Sequence, residues 1–230
     1  MSYTLYIGNK NYSTWSMRPW VVMKYFGIPF NEKLVKFDDF GADSLFKTTI
    51  SSISKYGTVP ILMDDDFVIT DSLAICEYLA EKHPDLALWP TDIKHRAVAR
   101  SLVAKMHSGF PAIRKYLPMN IEAEFPEVGQ IILRDHSEVK NEITLLDDLL
   151  SSLLMSNSSN QSYLFGDFSI ADAFYAPICL RLKNYHIKTS PILADYIDTI
   201  CHTKRIKDWI NEALKEQCFV VMDEPYRLHR

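Results

Sequence analysis

Between residues 56 and 72 the chain reads YGTVPILMDDDFVITDS, which is two short apolar runs joined by an acidic turn. The runs Pro60–Met63 and Phe67–Thr70 are predicted to pair as an antiparallel hairpin. Pro60 has no N–H to give to a strand ladder, so it marks an edge, a bulge or a cis bond at a tight turn. The residue before it, Val59, is therefore expected to keep main-chain groups that a ligand can use.

The second run leads directly into a helical pattern. Residues 72 to 82 carry apolar side chains at helical spacing, and His83-Pro84 ends the pattern. Asp71 and Ser72 stand at its start, where unpaired N–H groups and the helix dipole favour an anionic ligand. The main chain at Val59 and this helix start together predict a site for a ligand that is both peptide-like and acidic.

The first third of the chain alternates strand and helix signals. Thr4–Ile7 and Phe30–Phe37 are predicted strands, and 38 to 55 is predicted as a loop with one short helix. Between the two strands a helix is expected, with Ser16 as its N-cap and Pro19 in its first turn. With the hairpin and the helix from Ser72, these elements form one small α/β layer.

Beyond residue 91 the strand signals disappear and helical periodicities dominate. They cover residues 92 to 116, 131 to 154, 170 to 183 and 192 to 216. The fold class is therefore an α/β region followed by an all-α bundle. The predicted domains are 1–83, a linker 84–91, and a helical domain 92–230.

Composition excludes several classes of function. The net charge of −4, a pI near 6.0 and scattered basic residues argue against binding nucleic acid. There is no targeting pattern at Met1–Ile7 and no long apolar segment, so a cytoplasmic protein with no membrane contact is expected. The histidines lack metal-ligand spacing, and no metal is predicted. The four cysteines are expected to be reduced and mostly buried: Cys76, Cys179, Cys201 and Cys218.

Four passages in this order resemble the cytosolic glutathione transferase superfamily, in its serine-type, zeta- or theta-like form. They are 12 to 19 (YSTWSMRP), 57 to 60 (GTVP), 70 to 75 (TDSLAI) and 169 to 172 (SIAD). The resemblance covers nearly the whole chain. It implies a thioredoxin-like domain followed by a helical domain, glutathione as co-substrate, and a two-fold homodimer.

The resemblance also implies a glutathione site. The turn Thr58-Val59-Pro60, with Pro60 cis, would pair its main chain with the cysteinyl part of the tripeptide. Ser72 and its helix start would hold the γ-glutamyl carboxylate, and Asp71 would favour the ammonium. Lys36, Lys47 and Lys55 are candidates for the glycyl carboxylate. A capping box of Ser169 with Asp172 would be a folding element of the helical domain, with no catalytic role.

The remaining passage concerns the thiol. The thiolate is the nucleophile, and a hydroxyl beside a helix start favours it. Ser13 is the first choice for this hydroxyl, since it matches the serine of the zeta-like and theta-like classes. Tyr12, Ser16 and Tyr6 remain alternatives, and Ser13 is open to a second interpretation in which it only caps the helix.

The resulting function is conjugation of glutathione to a small hydrophobic electrophile in detoxification. One alternative is a glutathione-dependent cis-trans isomerase similar to maleylacetoacetate isomerases, although Trp15 stands where those enzymes have cysteine. Another is a non-catalytic interaction module. Because no cysteine lies at the helix start, disulfide exchange is disfavoured. Candidates for the acceptor pocket are Trp15, Met106, His107 and Phe110.

Overall fold

The computed structural model describes residues 3–156 and 162–230. Their contacts divide the chain into two compact units, one with Met1–Leu86 and Asp208–Arg230, the other with Ala87–Lys207. The end of the chain, which the sequence assigns to the helical domain, thus groups with the α/β region. In the described residues no helix combines the length and apolar character needed to cross a membrane.

The first unit is built on a four-stranded sheet. Its strands are β1 (Tyr3–Ile7), β2 (Phe30–Leu34), β3 (Ile61–Asp64) and β4 (Phe67–Thr70), in the order β2-β1-β3-β4. β1 is parallel to β2 and antiparallel to β3, and β3 and β4 form the predicted hairpin. The helices α1 (Thr14–Tyr25), α2 (Leu45–Ile53) and α3 (Ser72–Lys82) complete the predicted α/β layer.

The start of α1 corrects the sequence prediction. The helix begins at Thr14, so Ser13 occupies the N-cap position and Ser16 lies inside the first turn. Both serines suit a cap, and the turn before them decides between them, because the N–H groups of Tyr12 and Ser13 both donate to the Asn9 carbonyl. Pro19 falls one turn deeper than predicted, where it provides no N–H to the helix.

In its described residues the second unit contains helices and, apart from them, two isolated bridges near residue 165. Three of the predicted long helices are interrupted. The break at Gly109 is the bend expected from the sequence, whereas the breaks at His136 and Thr203 were not predicted. The observed helices are α4 (Ile93–Ser108), α5 (Pro111–Tyr116), α6 (Pro126–Asp135), α7 (Ser137–Ser156), α8 (Ile170–Asn184), α9 (Pro191–His202) and α10 (Lys204–Glu216), and α10 continues into the first unit.

The predicted capping box at the start of α8 is confirmed. Ser169 and Asp172 bond each other's main chain reciprocally. Asp172 is completely buried and also accepts hydrogen bonds from the Leu164 N–H at 3.0 Å and from the Tyr196 hydroxyl at 3.0 Å. The carboxylate therefore connects three segments of the helical unit. Burial outweighs these donors and raises the pKa of Asp172 to about 6.

This pKa predicts how stability depends on pH. Well below the ordinary pKa of 3.8 the Asp172 carboxyl is protonated in both folded and unfolded chains, and the stabilisation from its raised pKa is fully present. As the pH rises through 6 that stabilisation is lost, because the unfolded carboxyl ionises first. In urea unfolding, the free energy of unfolding of the wild type relative to Asp172→Asn should fall by about 1 kcal/mol between pH 5 and pH 7.

The matched control is Asp167→Asn, which changes an exposed carboxylate on the segment just before α8. It shows the effect of removing one exposed negative charge from this segment. A wild-type advantage over Asp172→Asn that grows with pH would show that the hydrogen-bond donors outweigh burial.

Candidate functional site

The turn before β3 has one of the three geometries that the residues left open, and it is the one that the resemblance implies. The Val59–Pro60 peptide bond is cis. Thr58 is exposed and Val59 is half-buried, and no hydrogen bond joins the Val59 main chain to another described residue. The Lys47 ammonium, from α2, donates to the Gly57 carbonyl at 3.1 Å. One of the three lysine candidates for a carboxylate partner is therefore tied to this turn.

At the start of α3, the adjacent polar side chains of Asp71 and Ser72 differ in their hydrogen bonding. Asp71 has a positive φ of 74° and caps the helix, accepting from the Leu73 N–H at 2.8 Å and the Ala74 N–H at 3.2 Å. Ser72 is 1% exposed, and its hydroxyl has no hydrogen-bond partner among the described residues. Since a buried hydroxyl without a partner is costly, Ser72 is the type of group that a ligand completes.

At the start of α1, Ser13 and Ser16 form a hydroxyl pair. Ser13 is 5% exposed and makes no side-chain cap hydrogen bond, so the interpretation of Ser13 as a simple cap is not what the structure shows. Its hydroxyl donates to Ser16 Oγ at 2.7 Å, and the Gly8 N–H also donates to Ser16 Oγ, at 3.1 Å. The helix dipole places the positive end of α1 at this pair.

Tyr12 points in a different direction from its neighbour. Its phenolic oxygen lies 2.6 Å from Glu224 Oε1 and 3.0 Å from the Cys218 carbonyl, both in the C-terminal segment. Burial and the Glu224 carboxylate raise the pKa of Tyr12 to about 12. A phenol engaged in this way does not donate to a thiol, which argues against Tyr12 as the activating hydroxyl.

Tyr6 and Trp15, the other aromatic candidates of the first unit, lie in different surroundings. Tyr6 is half-buried on β1 and packs against the apolar cluster of Phe46, Ile50 and Ile61. Trp15 is half-buried, and the guanidinium carbon of Arg18 lies over its ring, 4.1 Å from the ring centroid. Arg18 is 1% exposed, so α1 carries a buried positive charge two residues after Ser16.

The other acceptor candidates belong to the helical unit. Met106 and Phe110 are each 2% exposed, and His107 is half-buried. Phe110 has left-handed backbone angles, with φ of 56°, at the N-cap of α5. An open cavity of about 460 Å³ lies elsewhere in this unit, along α8 and α9, and its lining includes Glu124, Lys183, His186 and Asp198. None of the predicted site residues lines that cavity.

Sequence reasoning missed the contribution of the chain's end to this region. The indole N–H of Trp209 donates to the Lys10 carbonyl at 3.0 Å, and Glu216 accepts from the Lys10 N–H at 2.8 Å. These partners are about 200 residues from the loop they hold. Neither spacing nor a local motif signals such a contact. In the described residues no group of three histidine, cysteine or acidic side chains could hold a metal ion.

Comparison with known proteins places this geometry in context. A family model described as "Glutathione S-transferase, N-terminal domain" matches residues 12–82. Glutathione S-transferase Z2 of Arabidopsis thaliana is 35% identical over 176 residues, which cover 74% of this chain and 70% of the relative. A probable maleylacetoacetate isomerase of Caenorhabditis elegans is 31% identical over 147 residues, which cover 63% and 65%.

Solved structures agree on the fold. A glutathione transferase homolog from Burkholderia with bound glutathione superposes with a TM-score of 0.69 at 23% identity. The match covers 94% of this chain and 100% of that one.

The burial of the four cysteines yields a prediction about the reactivity of their thiols. Cys76, Cys179 and Cys201 are buried, and burial raises the pKa of each thiol, whereas Cys218 is half-exposed. At pH 7.5 the native protein should therefore react rapidly with Ellman's reagent at one thiol per chain, and Cys218→Ser should abolish that fast phase. Cys76→Ser should leave the fast phase unchanged. A second fast thiol in the wild type would contradict the burial described here.

Proposed function

The chain belongs to the cytosolic glutathione S-transferase superfamily, in its zeta-like part, and from that premise we propose that Ser13 activates the glutathione thiol for attack on a small hydrophobic electrophile. The observation that carries this proposal is that Ser13 and Ser72 stand at the starts of two helices without capping them. Ser72 is left to bind the co-substrate and Ser13 to act on its sulfur.

Binding is assigned to three places on the first unit. The main chain of Val59, beside the exposed Thr58, would pair with the cysteinyl segment, with Pro60 holding the turn. The Ser72 hydroxyl and the start of α3 would take the γ-glutamyl carboxylate, and Asp71 the ammonium. Lys47 is the best-supported partner for the glycyl carboxylate, because it already contacts Gly57 in that turn.

The chemical step requires an ionised sulfur. The glutathione thiol gives its proton to solvent, the thiolate forms a C–S bond with the electrophilic carbon, and the leaving group departs with its electron pair. A thiol has an ordinary pKa of about 8.5, so lowering it by two units requires about 2.7 kcal/mol of differential stabilisation. A hydroxyl hydrogen bond to the thiolate and the positive end of α1 supply stabilisation of this kind.

The Ser13–Ser16 pair shows how the hydroxyl is made available. A hydroxyl proton rotates, so Ser13 can turn from Ser16 toward a thiolate while Ser16 turns its own proton toward Ser13 Oγ. The Gly8 N–H keeps Ser16 Oγ in place during this exchange. The result is a chain of hydrogen bonds that polarise one another and strengthen the final bond to sulfur. Ser16 thus acts as a positioning residue, rather than as the alternative donor.

Isomerisation is the second candidate, and it is favoured by the relationship to a probable maleylacetoacetate isomerase. In that reaction the thiolate adds to a conjugated double bond, the resulting single bond rotates, and elimination restores both the double bond and the thiolate. The same Ser13 would serve it. Trp15 stands where those enzymes have a cysteine, and this difference favours conjugation as the first candidate.

We also propose the cellular setting on the basis of the family resemblance. The protein would act in the cytoplasm as a homodimer in the detoxification of electrophiles. A glutathione site without turnover would instead support the interaction module. Assays of conjugation with 1-chloro-2,4-dinitrobenzene and of maleylacetoacetate isomerisation separate these three functions.

The binding proposal predicts the effect of one hydroxyl. In calorimetric titrations, Ser72→Ala should weaken the binding of glutathione and of S-hexylglutathione about tenfold or more, because a hydrogen bond to a charged carboxylate is lost. Ser52→Ala is the matched control, since Ser52 is an exposed serine on α2 that bonds only its own helix. No saturable binding to the wild type at millimolar glutathione would refute the site.

The activation proposal predicts different effects for the two serines of α1. Ser13→Ala should lower kcat for conjugation by about ten- to a hundredfold, because the hydrogen bond to the thiolate, about 1.5–3 kcal/mol, is lost while the positive end of α1 remains. Ser16→Ala should lower it less, by about three- to tenfold, because only the polarising bond is lost. Steady-state kinetics at pH 6.5 measure both, and Tyr6→Phe, which should retain activity, is the control. Equal rates for Ser13→Ala and the wild type would exclude Ser13 as the activating hydroxyl.

A further inference from the structure

The loop that carries Ser13 is held by hydrogen bonds to residues at the C-terminal end of the chain. We call the residues responsible, Trp209 to Arg227, the C-terminal clamp. On its helical part, Glu216 accepts from the Lys10 N–H at 2.8 Å and from Asn9 Nδ2 at 3.0 Å, and Trp209 donates to the Lys10 carbonyl. These bonds fix both main-chain groups of Lys10 and the side chain of Asn9. All of them lie within the first unit.

The part of the clamp after α10 holds Tyr12. Glu224 Oε1 lies 2.6 Å from the phenolic oxygen, the Cys218 carbonyl lies 3.0 Å from it, and the Val220 N–H donates to it at 3.4 Å. Tyr12 is 7% exposed and Glu224 is 4% exposed, so the contact is removed from water. It joins the residue immediately before Ser13 to the last part of the chain.

The charge on Glu224 is compensated inside the clamp. Arg227 binds both of its carboxylate oxygens, with Nε 2.8 Å from Oε2 and Nη2 on Oε1. Because a buried carboxylate needs such partners, Glu224 has a fixed orientation and can act as a rigid acceptor. The raised pKa of Tyr12 means that the phenol keeps its proton throughout the neutral range.

The need for an outside anchor follows from the local structure of the loop. The Ser13 N–H and the Tyr12 N–H both bond to the Asn9 carbonyl, at 2.8 and 3.1 Å, but the Ser13 side chain forms no cap to tie the loop to α1. The position of the Ser13 hydroxyl therefore depends on where Asn9 and Tyr12 are held. A displacement of about 1 Å is enough to impair a catalytic hydrogen bond.

We propose that Tyr12 and Glu224 are positioning residues for Ser13, so that the C-terminal clamp sets the strength of the hydrogen bond from Ser13 to the glutathione thiolate. This inference rests on the proposed function, because it concerns the same hydroxyl. It goes beyond that function in assigning an activity-determining role to residues at the C-terminal end of the chain. No hydrogen bond joins the clamp to the Val59 main chain or to the Ser72 hydroxyl in the described residues, so the clamp should affect activation of the thiol and leave binding of the tripeptide unchanged.

The test compares Tyr12→Phe and Glu224→Gln with the wild type in two measurements. The first is the pH midpoint for ionisation of enzyme-bound glutathione, followed by the thiolate absorbance near 240 nm. The second is the dissociation constant of S-hexylglutathione, which has no free thiol and reports only binding. Each variant should raise the midpoint by about one unit, which means about tenfold less thiolate below it. S-hexylglutathione should bind within about twofold of the wild type in both variants.

Tyr3→Phe is the matched control. Tyr3 is also a buried tyrosine of the first unit, 3% exposed, and its hydroxyl bonds to His83 instead of to the clamp. It should lose a comparable amount of stability without a shift in the midpoint. The charged groups around the loop, Lys10, Glu32, Glu212, Glu216, Glu224 and Arg227, are unchanged in Tyr12→Phe, so a shift in that variant reports position and not a change of charge.

The outcomes separate this inference from the proposed function. A wild-type thiolate band that disappears in Ser13→Ala, together with unshifted midpoints in Tyr12→Phe and Glu224→Gln, would overturn the positioning role alone. Absence of a Ser13-dependent band in the wild type would overturn the proposed function and this inference with it. If thermal melts show that Tyr12→Phe is unfolded at the assay temperature, the ionisation midpoint of glutathione bound to Glu224→Gln tests the positioning role instead. Unfolding of both variants would overturn the inference, because the contact would then serve folding.

Discussion

The buried ammonium of Lys10 is the constraint on which the first unit depends. Its side chain is 6% exposed and pairs with Glu32 from β2 and with Glu212 from α10, the latter at 2.6 Å. It also lies within 6 Å of the ring centroids of Trp20 and Trp209. A charge buried to this extent is tolerated only when such partners surround it. The loop after β1, the strand β2, helix α1 and the second half of α10 must therefore come together for the unit to form.

The same cluster explains why the chain's end groups with its beginning. Trp20 and Trp209 pack edge to face, with ring centroids 5.1 Å apart, and the Trp20 indole N–H donates to Glu32 at 2.6 Å. Removing one partner of a buried ion pair typically costs about 3–5 kcal/mol, because the other charge is left without compensation. The loop from Asn9 to Ser13 therefore inherits its rigidity from this cluster, and the hydroxyl pair at the start of α1 is built on a fixed base.

The features that the sequence predicted are those with local physical causes. The cis bond at Pro60, the hairpin, the start of α3 and the capping box of Ser169 and Asp172 each depend on residues within a few positions of one another. The start of α1 was missed because Ser13 and Ser16 are equally good caps, and a turn at Asn9 decides between them. These cases show how far neighbouring residues alone determine the structure.

The features that were missed depend on distant partners. At Thr203 the predicted long helix ends without a glycine or proline, where the threonine hydroxyl meets Tyr163 at 3.1 Å. The contact that holds the Tyr12 hydroxyl depends on Glu224, more than 200 residues away. A sequence pattern contains no information on such a contact, since a tyrosine and a serine next to a helix start are equally plausible donors to a thiol. Only the tertiary structure shows that Tyr12 is held by a buried carboxylate, whereas Ser13 bonds to another hydroxyl.

That engagement also explains why a serine suits the reaction better than its neighbour. A hydroxyl stabilises a thiolate best when it donates a hydrogen bond without giving up the proton, so that the charge stays on the attacking sulfur. The alcohol of Ser13 fulfils this condition, and Ser16 can strengthen its donor character through a second hydrogen bond. Tyr12 is instead held by the buried carboxylate of Glu224, and that contact stabilises the position of the loop. Under the proposed function, the two adjacent hydroxyl residues thus have different roles: Ser13 acts on the sulfur, and Tyr12 fixes the position of Ser13.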